Sequence, residues 1–131
     1  MLRGRRETGI DLVTPSDLKN IYEAAAARGE RLPVSFTIGA HPIDHVGATM
    51  RIPGDEAALI ASLRGAPLPM VKCVSNDIRV PADAEIVLEG VIHPGETAPE
   101  GPYGDHTGYY NSVERFPVFK ISAITTRRAA I

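Results

Sequence analysis

Glu85-Ile86-Val87-Leu88-Glu89-Gly90-Val91-Ile92 is the stretch that decides the fold. Ile86-Val87-Leu88 shows no clean alternation of apolar and polar residues, so the segment reads as a strand covered on both faces. Turn formers bound it, Pro81-Ala82-Asp83 before and His93-Pro94-Gly95 after. Working outward, further strands are expected at Met70 to Val74, Ile78 to Val80, Tyr109 to Asn111 and Phe116 to Ile124, with Asn76-Asp77 as another turn. Val118, Ile121 and Ile124 are expected to join the core, and Ile86, Leu88 and Val118 to be buried.

Before Pro67 the period is mostly helical. Thr14-Pro15-Ser16-Asp17 predicts a helix start with Thr14 or Ser16 as cap, followed by Leu18, Ile21, Tyr22 and Ala25 at helical spacing and a stop at Gly29. Leu32 to Gly39 alternates as a strand, with Val34, Phe36 and Ile38 on one face, and runs into a loop at Ala40-His41-Pro42. Gly54-Asp55 precedes a helix from Glu56 to Leu63 that Gly65 ends. Glu56 falls in its first turn, where the helix dipole favours a carboxylate that can also face a cation. The predicted class is α+β, with predominantly antiparallel strands and two helices, in a single domain over residues 1–131 that is compatible with a piece of a barrel.

Composition narrows the function classes. The chain has 131 residues, enough for one modest core. Fourteen Lys and Arg against sixteen Asp and Glu leave a net charge of -2, which offers no general attraction to nucleic acid. Arg3, Arg5 and Arg6 form a local basic run that reads as a frayed charged terminus. Cys73 is the single cysteine and excludes an intramolecular disulfide; its apolar surroundings predict a buried structural thiol. No apolar run approaches the ~20 residues of a membrane span, and no hydrophobic block follows the first arginines, so a cytoplasmic protein is expected.

Chemistry concentrates in Pro99-Glu100-Gly101-Pro102-Tyr103-Gly104-Asp105-His106-Thr107-Gly108-Tyr109-Tyr110. Its glycines and prolines exclude a regular helix, so Glu100 and Asp105 sit on a loop between strands, five positions apart. Paired carboxylates serve acid–base work when their surroundings keep one protonated and one ionised, and His106 can tune such a pair. The same residues also describe a surface turn in which Asp105 caps backbone donors and Tyr109-Tyr110 begins the next strand. Dinucleotide and phosphate-loop fingerprints are absent. His41, His45, His93 and His106 are scattered without cysteine partners at zinc spacing, and Pro42 argues against a helix that presents His41 and His45 to one metal.

Taken together, Gly39-Ala40-His41-Pro42, Asp55-Glu56 with Leu63-Arg64-Gly65, Val71 through Asp77, Val80 through Gly90, Pro99 through Tyr110, and Phe116-Pro117-Val118-Phe119 with Ile124 occur in one order from Leu32 onward. In that order the chain resembles the UbiD family, prenylated-flavin-dependent decarboxylases related to 3-octaprenyl-4-hydroxybenzoate carboxy-lyase. The resemblance implies part of a split β-barrel flavin-binding domain, the second half of the family's central domain. It implies non-oxidative, reversible decarboxylation of an aromatic or α,β-unsaturated acid on prenylated FMN. Glu100 and Asp105 match the acid–base carboxylates. Glu56 matches the carboxylate that helps bind the divalent Mn or Mg ion at the cofactor phosphate, with K as a further cation. The family's upstream metal ligands and arginine have no counterpart in this sequence, so a larger decarboxylase subunit, a homo-oligomer or both are expected as partners. The alternative is a non-catalytic family remnant serving assembly or small-molecule binding.

Overall fold

A computed structural model of the chain describes residues 4–12, 15–50 and 52–130. The elements are β1 (Glu7–Gly9), α1 (Asp17–Ala27), β2 (Leu32–Ile38), α2 (Pro42–Thr49), α3 (Glu56–Arg64), β3 (Met70–Lys72), β4 (Arg79–Pro81), β5 (Ile86–Glu100) and β6 (Glu114–Thr126). One sheet has the order β1-β6-β5-β2, and β3 pairs with β4 in a second. The β1–β6 and β3–β4 pairings are antiparallel. Two compact units result: one holds the described residues up to Val34 with Gly90–Ser122, the other Ser35–Glu89 with the described residues from Ala123 onward.

In the first unit Phe119 and Ile92 are fully buried, with Val118, Phe116 and Ile10 nearly so. Each such side chain contributes about 1.5–3 kcal/mol through removal of apolar surface from water. Gly90 lets β5 lie close against β6, since a Cβ there would overlap the Lys120 carbonyl and the Phe119 ring. β1 begins directly after Arg6, whose carbonyl accepts from Ile121 N at 2.8 Å. The expected frayed terminus is thus tied into the sheet from that point; Arg3 lies outside the described residues. Ser16 caps α1, its Oγ accepting from Lys19 N at 3.2 Å; Thr14, the other expected cap, lies outside the described residues.

In the second unit Cys73, Val80, Ala84 and Val87 form a buried cluster with Ile78 against it. Cys73 is buried as expected, its thiol donating to Ser35 Oγ at 3.3 Å. α3 ends as the sequence predicts, with Gly65 left-handed at φ 65° and Ala66 N donating to Ala61 O at 3.2 Å.

Several expectations are corrected. The loop expected from Ala40-His41-Pro42 gives way at once to a third helix, α2: Pro42 takes its first position, where a missing N–H breaks no bond, and the His41 ring caps it by accepting from Ile43 N at 3.2 Å. Pro42 is therefore no argument against a helix here. The turn expected at His93-Pro94-Gly95 is strand, because Gly95 absorbs a positive φ of 73° and β5 continues to Glu100. Beyond it, Lys120 pairs with Glu96 at 2.6 Å and Arg115 donates to the Thr97 carbonyl at 2.8 Å. Tyr109 to Asn111 is not a strand; Tyr110 makes only an isolated bridge to Gly104. In β5 it is Val87 and Glu89 that are buried, while Ile86 and Leu88 are half-buried. Val118 is buried as expected, but Ile124 is exposed, and so is Ile38 at the end of β2.

Candidate functional site

Glu100 does not lie on the expected loop, because β5 runs on to include it: it is the last residue of that strand and is buried, and only Asp105 is on the loop. The placement of Glu100 follows from the strand: Ala98 and Glu100, two residues apart, are both buried while Pro99 between them is exposed, so the carboxylate occupies an inward position that an apolar side chain would ordinarily fill. The backbone leaves the strand at Gly101, at φ 100°, where a Cβ would sit 3.0 Å from the Ser112 carbonyl. A larger residue would force the two arms of the following loop apart.

That loop is a tight hairpin. Asn111 N donates to Tyr103 O at 2.9 Å, Asp105 N to Tyr109 O at 2.9 Å and Gly108 N to Asp105 O at 3.0 Å. The Asp105 carboxylate is half-buried and accepts from its own neighbours: Oδ1 lies 2.7 Å from both His106 N and His106 Nδ1, and Oδ2 takes the Thr107 hydroxyl at 3.3 Å. The His106 side-chain hydrogen bond, then its backbone N–H, hold the Asp105 pKa below the ordinary aspartate value despite an opposing contribution from burial. The geometry is that of the capped turn, with the His106 ring bonded to Asp105. Tyr109 and Tyr110 flank it, exposed.

Glu56 belongs to the second unit. Asp55 caps α3 by accepting from Ala57 N at 2.9 Å, which leaves Glu56 exposed in the first turn. The direction of α3 is set at its other end, where Arg64 grips Asp44 of α2 with two bonds of 2.9 and 2.6 Å and reaches Asp83 at 3.0 Å. Gly47 of α2 gives Ile60 of α3 the room to pack, since a Cβ there would overlap the Ile60 side chain. Arg64 carries no expected role in the sequence, although an arginine in the last turn of a helix is a signal for a C-terminal charge partner.

Glu89 was also missed. It is almost fully buried, and its carboxylate accepts from Val74 N at 3.0 Å and from Ser75 N and Oγ at 2.7 Å each. Burial pushes its pKa up, but the hydrogen bonds from Ser75 and Val74 outweigh this and leave it lowered. A charged residue inside an apolar strand was the available signal.

The chain matches the sequence profile of UbiD, the 3-octaprenyl-4-hydroxybenzoate carboxy-lyase Rift-related domain, over residues 1–131. It belongs to the UbiD family. Among solved structures it is similar to an evolved dimeric form of the UbiD-class enzyme HmfF from Pelotomaculum thermopropionicum in complex with prFMN. They share 36% identity and a TM-score of 0.91, over 98% of this chain and 30% of that one. It is similar to the closed form of vanillic acid decarboxylase from Sedimentibacter hydroxybenzoicus, at 32% identity and TM-score 0.91, over 97% of this chain and 28% of that one. The apo 3,4-dihydroxybenzoic acid decarboxylase of Klebsiella pneumoniae matches at 28% identity and TM-score 0.87, over 96% of this chain and 28% of that one. The chain therefore spans less than a third of the length of these UbiD relatives. Its α+β fold is that of the UbiD split β-barrel, as the family resemblance implies.

Proposed function

We propose that this chain is the part of a prenylated-FMN-dependent non-oxidative carboxy-lyase that carries the acid–base residues Glu100 and Asp105 and the metal-side carboxylate Glu56. Its substrate class is an aromatic or α,β-unsaturated carboxylic acid, and its 131 residues act as one domain, the second half of the family's central domain. The observation that carries the reading is the match, over nearly all of this chain, to a relative solved with prFMN, combined with a buried carboxylate at the end of β5.

The donor set suits the metal in part. Glu56 offers an exposed hard oxygen ligand of the kind Mg or Mn takes, while the described residues contain no group of three or more His, Cys, Asp or Glu able to hold an ion. Glu56 would accordingly supply one ligand, and the others would come from outside the described residues. When bound, the prenylated flavin supplies the ring that accepts electron density as carbon dioxide leaves.

Protons are this chain's share of the work. Loss of carbon dioxide from a carboxylate requires one proton at the carbon left behind, and Glu100, shielded from water, delivers it from its carboxyl group. In the carboxylation direction the same group, ionised, removes the proton from that carbon. Asp105, kept ionised by His106, provides the fixed negative charge and the hydrogen-bond acceptor of the pair.

Thermal shift tests the reading. With prenylated FMN and Mn present, and the rest of the decarboxylase assembled on this chain, the melting temperature should rise, and Glu56→Gln should remove most of that rise together with metal and flavin retention. An unchanged melting temperature and no bound flavin in the assembled protein would refute the assignment; full retention in Glu56→Gln would refute the role of Glu56.

A further inference from the structure

Gly9 ends β1 and lies opposite Val118 of β6. Its φ is outside the left-handed region, so the backbone does not require glycine there. Glu100 does. A Cβ built at Gly9 would overlap Glu100 Oε2 and stand 2.8 Å from Cδ and 3.4 Å from Cγ. All three atoms belong to one side chain, which lies across the bare Cα of residue 9 where any other residue would carry a side chain.

The two walls of this slot differ in stiffness. On the glycine side, Glu7, Thr8 and Gly9 pair with Lys120, Phe119 and Val118. Ile10 N continues the ladder to Pro117 O at 3.1 Å. Phe119, Val118 and Ile10 are core residues, so this backbone is held by buried packing as well as by hydrogen bonds. On the other side stands the end of a glutamate with three rotatable bonds. An added methyl group at residue 9 should therefore displace the Glu100 carboxyl group before it displaces β1.

We infer that Gly9 is a positioning residue for Glu100: the absent side chain makes the slot that sets how deep and in which direction the carboxyl group reaches. The inference rests on the reading of Glu100 as the proton carrier. Proton transfer to carbon depends steeply on donor position, and a misplacement of about 1 Å is enough to slow a reaction roughly a hundredfold. Gly9→Ala should accordingly slow turnover about 10- to 100-fold in the assembled decarboxylase, with flavin retained and the melting temperature nearly unchanged.

The test is a double-mutant cycle of Gly9→Ala with Glu100→Asp, alongside crystal structures of the chain. Aspartate is shorter by one methylene and withdraws the outermost atom, the Oε2 that the added Cβ would overlap most, so Gly9→Ala should have a smaller further effect in the Glu100→Asp background. The Gly9→Ala structure should show β1 in place and the Glu100 carboxyl group moved. Equal loss from Gly9→Ala in both backgrounds, or an unmoved carboxyl group with wild-type turnover, would overturn the inference. So would a Gly9→Ala chain that fails to fold even with Glu100→Asp beside it, since the glycine would then serve the strand; folding restored by Glu100→Asp supports the overlap. Glu100→Gln runs in parallel: full activity there strikes down the role of Glu100 itself, while an inactive Glu100→Gln with a normal Gly9→Ala strikes down the positioning alone.

Discussion

The two carboxylates buried along β5, Glu89 and Glu100, occupy inward strand positions. Glu89 satisfies its charge by accepting three hydrogen bonds from Val74 and Ser75, and so closes the turn between β3 and β4. Replacing it with Gln puts an NH2 group against donors that need an acceptor, and should destabilise the chain by about 1–3 kcal/mol near neutral pH, measured by urea unfolding. The pH dependence has a definite sign. The folded pKa of Glu89 is lowered, so its contribution is present above the unfolded glutamate value and is lost as pH falls through the folded value. The stability gap between wild type and Glu89→Gln should therefore narrow on acidification; a gap that widens would contradict this account. Glu100 is legible in the sequence through the Gly/Pro-rich stretch that follows it, and Glu89 only as a charged residue inside an apolar strand, whereas Gly9 carries no local signal. A glycine chosen for the space it leaves becomes visible only when the residue that fills that space, 91 positions later, is in place.

Among the elements, α3 brings Glu56 to a helix N-terminus, and α2 sets its direction through the Arg64–Asp44 pair and the Gly47–Ile60 contact. The sequence announces α3 through Asp55, Glu56 and Gly65, each placed where helix ends favour it. It conceals α2, because a proline reads as a breaker until its place at the first helical position is known, and because a histidine cap is uncommon. The length of β5 was hidden in the same way by Pro94-Gly95, which interrupts the pattern without ending the strand. Removing the guanidinium should uncouple the helices. Arg64→Met leaves Asp44 buried beside an uncharged side chain, and amide exchange in Pro42–Thr49 and Glu56–Arg64 should speed up at least roughly tenfold. Unchanged exchange in both helices would show that apolar packing alone sets the direction of α3.

Across the whole molecule, apolar side chains remain exposed in both units: Tyr109, Tyr110 and Val113 in one, Val46, Val71 and Val74 in the other. Since the chain spans less than a third of its solved UbiD relatives, the proposed function places this surface against further polypeptide of the same enzyme or another copy. Light scattering at high micromolar concentration should show association or capture of that polypeptide; a monodisperse monomer that recruits neither would count against it. Among the described residues no helix is long and apolar enough to cross a membrane. If Glu100 carries the transferable proton in a flavin-dependent decarboxylation, the turnover of Glu100→Gln in the assembled holoenzyme reads that role, with bound flavin followed by its absorbance in the same sample. Turnover should fall about 10²–10⁴-fold with flavin still bound; wild-type turnover with full flavin occupancy would rule Glu100 out as the proton donor.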